Sequence, residues 1–97
     1  MPNQQQLEML KQEATGSWNT WRQEHLEMDL DLSEADLSDV SLGGVDLSRA
    51  NLSNATLWGV DLKDANLKDA SVAIEILEQQ AKKPLQNTIM PNGETHP

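Results

Sequence analysis

The chain has 97 residues, enough for one small domain, and a formal net charge of −9 from 16 acidic and 7 basic side chains. That balance argues against direct binding to nucleic acid or to an anionic membrane, both of which need basic patches. Cysteine, Phe and Tyr are absent and only three Trp are present, so disulfides, zinc-thiolate sites and thiol chemistry are excluded and aromatics cannot organise the interior in the usual way.

The opening string MPNQQQLEML has neither a basic nor an apolar signal region, and no apolar run approaches the roughly 20 residues of a membrane span. A cytoplasmic protein with no membrane partner is expected. Over residues 4–26, Leu7, Leu10, Ala14, Trp18 and Trp21 recur at spacings of three and four, one stripe of a helix, which Gly16 weakens or breaks. Residues 1–27 are therefore predicted to be an N-terminal helical cap. Trp18 and Trp21 would close the lower end of the next segment near Leu32 and Leu37.

The segment 28–73 is periodic. Leu32, Leu37, Leu42, Leu47, Leu52, Leu57, Leu62 and Leu67, then Val72, follow one another every five residues. Two residues before each lies an apolar side chain: Leu30, Ala35, Val40, Val45, Ala50, Ala55, Val60, Ala65 and Ala70. Asp, Asn, Ser or Thr stands between the two. A period of five fits neither a helix nor a flat strand. A chain that turns a corner every five residues puts each Leu and the small residue before it inside, with Gly, Asn, Asp and Ser at the corners.

The units ADLSD, VDLSR, ANLSN, ATLWG, VDLKD and ANLKD resemble the pentapeptide-repeat family, with its A-(D/N)-L-x-x consensus. The string W-N-x-W-R and the tail TIMPNGETH are similar to the flanks of short cyanobacterial members. The resemblance implies a mainly-β fold, a right-handed quadrilateral β-helix of about two coils, the repeats stacking as a solenoid roughly 10 Å tall at about 4.8 Å per layer. Four units per coil would stack Asp31/Asn51/Ser71, Asp36/Thr56, Ser41/Asp61 and Asp46/Asn66, so that no Asp meets another Asp.

Residues 74–97 are predicted to be a C-terminal helical cap and tail. Ser71 would N-cap a helix from about Val72 to Lys82, with Ile74, Leu77 and Ala81 inward, Glu75 and Glu78 early, and Lys82 and Lys83 late before Pro84. Pro91-Asn92-Gly93 reads as a tight turn.

No catalytic constellation emerges. The repeat-position Asp residues are turn-forming and solubilising, and a convex prism offers no cleft for paired carboxylates. Gly43-Gly44-Val45-Asp46 lacks the nonapeptide period of calcium-binding β-rolls. His25 and His96 lie at opposite ends of the sequence, without the spacing of a metal site. No enzyme, metal or cofactor is expected. Trp58 follows a core leucine at an outward position. Either the C-terminal segment (Leu85, Ile89, Met90) folds down over it, or it anchors a protein partner or a dimer contact. Gly43 and Gly44 are either tolerated corner glycines or a place of close backbone approach. The expected role is a non-catalytic protein–protein interaction or regulatory module with an acidic surface, binding another protein. Two alternatives stand beside it: a DNA-mimic inhibitor of an enzyme such as gyrase, and a structural accessory subunit of a larger complex. Homodimerisation through the solenoid ends is a further option.

Overall fold

In the computed structural model, residues 3–12, 15–25, 27–82 and 85–96 are described. The five-residue period becomes a corner every five residues. Each repeat leucine accepts a hydrogen bond at its C=O from the N–H three residues on, from Leu32–Ala35 through Leu67–Ala70, at 2.9–3.2 Å. The second residue after each leucine has positive φ: Glu34, Asp39, Gly44, Arg49, Asn54, Gly59, Asp64 and Asp69. A bond from i to i+3 with positive φ at i+2 alone is a type II turn.

The residue before the leucine braces this turn. The Oδ1 of Asp31, Asp36, Asp46, Asn51, Asp61 and Asn66 accepts the backbone N–H two residues on, at 3.0–3.1 Å. This is an Asx turn, and it explains why Asp and Asn stand in that slot. The Ser33 hydroxyl, and then its N–H, hold the Asp31 carboxyl below its ordinary range; Ser38 does the same for Asp36. A depressed folded-state pKa contributes stability that is complete above the unfolded value, near 3.9, and is lost as pH falls through the folded value. Melting temperature should therefore fall on acidification below about pH 4. The double variant Asp31→Asn, Asp36→Asn, which keeps the acceptor oxygen, should flatten that fall. Thermal melts of both proteins across this range check it, and identical acid profiles would remove the two carboxylates from the account.

Successive coils stack 20 residues apart. Parallel bridges join Asp31 to Asn51, Asp36 to Thr56, Ser41 to Asp61, Asp46 to Asn66 and Asn51 to Ser71, one on each of four sides and a second on the first. The eight repeat leucines are buried, at 0–2% exposure, and Val72 is half-buried. Of the small apolar positions two residues earlier, only Val40 is half-buried, the others being buried.

The mainly-β class does not hold. Every bridge is isolated, and no strand or sheet forms among the described residues, whose regular elements are three helices. The reason is local. Four of every five residues belong to the corner turn, so only the residue before each leucine is extended and free to bridge. The chain is a stack of turns with helices at its ends, not a quadrilateral β-helix.

The N-terminal segment is two helices, α1 (Gln4–Gln12) and α2 (Thr15–Glu24), not one helix broken at Gly16. Ala14, assigned to its apolar stripe, lies outside the described residues. The segment covers the lower end by imitating a missing coil with side chains. The Gln6 amide donates to Asp29 O at 3.0 Å and accepts from Asp31 N–H at 3.1 Å. The Asn19 amide donates to Gly44 O at 2.9 Å and accepts from Asp46 N–H at 2.8 Å. Trp18 Nε1–H donates to Asp46 O at 2.9 Å, and Arg22 Nη2 to Ser48 O at 2.7 Å. Arg22 is buried, which lowers its pKa, while Asp46 at 4.0 Å opposes the shift. Trp18 thus bonds to the fourth side of the lower coil and is buried in the same core as Leu32 and Leu37. Trp21 is half-buried, packed between Trp18 and His25 at centroid distances of 5.4 and 4.9 Å.

The upper layer is irregular. Ser71 continues the stack, its N–H donating to Ala50 O and its C=O accepting from Leu52 N–H. It therefore does not cap a helix. Instead α3 (Ile74–Gln80) starts after Ala73, with no side-chain cap. Leu77 and Ala81 are buried and Ile74 is partly so, while Lys83 and Pro84 lie outside the described residues. The chain then rejoins the stack: Lys82 N–H donates to Val60 O, Ile89 pairs with Asn66, and Pro91 O accepts from Asp69 N–H. The tail turns at Met90–Gly93 and doubles back, Ile89 bridging Thr95 antiparallel. Leu7 and Leu10 of α1, Trp18 of α2, the repeat leucines, Leu77 of α3, Leu85 and Met90 belong to one core.

Candidate functional site

The irregular upper layer creates the feature of most interest. The first layer and the second are closed coils, but α3 leaves the stack where a third turn of the second side would run. Upward-pointing backbone groups of the second coil are then left without a coil above. Leu57 N–H is met by the Gln80 side chain, whose Oε1 accepts at 3.0 Å, and Gly59 N–H by Gln80 O at 2.7 Å. Asn54 N–H and Ala55 C=O have no protein partner among the described residues. In the coil below, the equivalent groups are paired, Glu34 N–H with Ser53 O and Ala35 C=O with Thr56 N–H, both at 2.9 Å.

An open groove of about 600 Å³ occupies this gap. Its floor is Leu52 to Thr56; Val72, Ala73, Ile76 and Gln80 form the far wall, and Trp58 stands at one end. Trp58 is 56% exposed; Met28, at 46%, is the other exposed large apolar side chain among the described residues. The C-terminal segment does not cover Trp58. Leu85 and Met90 turn inward and are buried, and Ile89 is engaged on the fourth side. Gly59 beside Trp58 has φ +74°, and a Cβ there would collide with the Asp39 carboxylate, so this acid lies close against the tryptophan's corner.

The other candidate residues are dispersed. Gly43 and Gly44 lie on the third side, one coil lower. Gly44 N–H donates to Lys63 O, and its C=O accepts from Asn19. A Cβ on Gly43 would press on Lys63 O at 3.3 Å. The close approach at this pair is thus within the chain. His25 Nδ1 lies 2.8 Å from Trp21 O, and His96 pairs through its backbone with Asn87 and Thr88. Among the described residues no three His, Cys, Asp or Glu side chains gather as a metal site, and no helix is long and apolar enough to cross a membrane. Sequence reasoning singled out Trp58 but missed the groove. Its one signal is the loss of the five-residue pattern after Val72.

A family model for pentapeptide repeats matches residues 31–69 in eight copies. No curated protein and no solved structure matches the chain.

Proposed function

Because this chain belongs to the pentapeptide-repeat family, whose repeats are generally non-enzymatic interaction modules, we propose that it is a non-catalytic module that binds another protein through the Trp58 face. The observation that carries this reading is the exposed tryptophan at the end of the groove. Among the described residues only Met28 and Trp58 are exposed large apolar side chains, and an exposed Trp beside a concavity is the kind of residue that dominates binding energy. The corner turns hold the ring's backbone in place, so little ordering is needed on binding.

The test compares wild-type protein with Trp58→Ala. The substitution touches no core contact and should leave stability within about 0.5 kcal/mol. Immobilised wild type should retain a partner from extract of the native cells that the variant loses. With that partner purified, the variant should bind about 30-fold more weakly, near 2 kcal/mol. The same proteins retained by both would refute the reading.

A further inference from the structure

The groove's chemistry narrows the partner, on the footing that Trp58 is an interaction residue. Two groups in it invite a backbone. Asn54 N–H and Ala55 C=O repeat the geometry that Glu34 and Ala35 use one coil lower. There the chain that pairs with them is Ser53–Thr56, a bent segment offering a C=O and, three residues later, an N–H. That segment passes its corner through Asn54 at φ +61°. A chain seated over Asn54 and Ala55 in the same way needs the same bend, which Gly or Asn adopts most readily.

Charge gives the second constraint. The first and second sides of the stack carry Asp31, Glu34, Asp36 and Asp39 within residues 30–39 and 50–59, and no Lys or Arg. The bases of the repeats, Arg49, Lys63 and Lys68, all lie on the third and fourth sides, among Asp46, Asp61, Asp64 and Asp69. Helix α3 carries Glu75 and Glu78 and no base, Glu78 lining a separate hollow with Met90 and His96, and Lys82 follows the helix. Lys11 is the cation that acts on Asp36, from the lower end. None of these acids lines the groove itself; the carboxylate set beside it is that of Asp39, close against Gly59 next to the exposed Trp58 indole, and this acid–indole pair is complementary to a cation.

We propose that the groove receives a basic peptide segment of a protein partner. Its backbone pairs with Asn54 N–H and Ala55 C=O, it bends at a Gly or Asn, and a Lys or Arg side chain lies over Trp58. This is addition of one chain to an unpaired edge: the backbone contributes affinity, and the cation and the bend contribute specificity.

Random dodecapeptides displayed on phage, panned against the intact protein, test it. Enriched peptides should combine Lys or Arg with Gly or Asn. When synthesised, such a peptide should shift the Asn54 amide resonance. Replacing its basic residues by Glu should weaken binding at least about tenfold, as should Trp58→Ala in the protein. Thr56→Arg, an exposed change on the groove floor, should do the same while leaving the melt unaltered. Enriched peptides that are acidic or wholly apolar yet still need Trp58 would overturn the proposal and leave the module reading standing. So would binding that never perturbs Asn54. Panning that yields no Trp58-dependent peptide of any kind would overturn both.

Discussion

Leu52→Asp should abolish the cooperative unfolding transition. Leu52 is 2% exposed and lies between Leu32 below and Val72 above in the 20-residue register. Its N–H donates to Ser71 O, and its C=O closes the corner to Ala55. A carboxylate there has no cation or donor to meet it inside a stack of leucines. It must either ionise unpaired or take up a proton, and both cost several kcal/mol. Losses above about 4–5 kcal/mol are what such a burial produces, against a total stability of about 5–15 kcal/mol for a domain. Circular dichroism through heat and urea reads the result. Val72→Asp is the control. Val72 is half-buried at the groove's far wall, so its carboxylate keeps access to water and the transition should survive, weakened. Equal effects at the two positions would mean that the centre of the stack is not where Leu52 lies.

The leucine period was legible because it is a packing requirement repeated without error. The Asp or Asn before each leucine was legible only as polar. The Asx turn that explains it depends on an oxygen reaching a backbone N–H two residues away. The β class was not legible in either direction, because a five-residue side leaves one residue for pairing, and family resemblance carried the expectation of strands. The W-N-x-W-R string was read through its tryptophans, although its polar atoms do as much of the capping. Asn19 and Arg22 bind backbone that a lower coil would otherwise bind, and Gln6 of α1, a residue with no apolar signature at all, does the same. The groove was hidden by a coincidence of spacing. Leu77 stands 20 residues after Leu57, as a further coil would place it, yet it arrives on a helix. The same side chain thus fills the core while the backbone that should accompany it swings out.

The lower cap carries the second large expectation. Trp18→Ala should destabilise the protein by about 3–5 kcal/mol, the usual cost of emptying a buried aromatic site. The ring is 1% exposed, its Nε1–H satisfies Asp46 O, and it underlies the fourth side next to buried Arg22. Removing it leaves a cavity and an unpaired carbonyl together, and loosens the residues that flank it in the same helix. Two comparisons separate these parts. Trp18→Phe keeps most of the packing and loses the donor, so it should cost about 1 kcal/mol for the hydrogen bond plus a small packing term. Trp21→Ala removes a half-buried ring that packs between Trp18 and His25 at the edge of the core, and should cost about 0.5–1.5 kcal/mol. Urea denaturation followed by circular dichroism ranks the three without relying on the fluorescence that the substitutions themselves change. The expected order is Trp18→Ala well above the other two. If Trp21→Ala were the most damaging, the cap would be held by the stack of Trp21 on His25, and the backbone contacts of Trp18 would be incidental. If all three were near neutral, the lower coil would be stable without its helices, and the polar atoms of Gln6, Asn19 and Arg22 would be covering an end that water covers equally well.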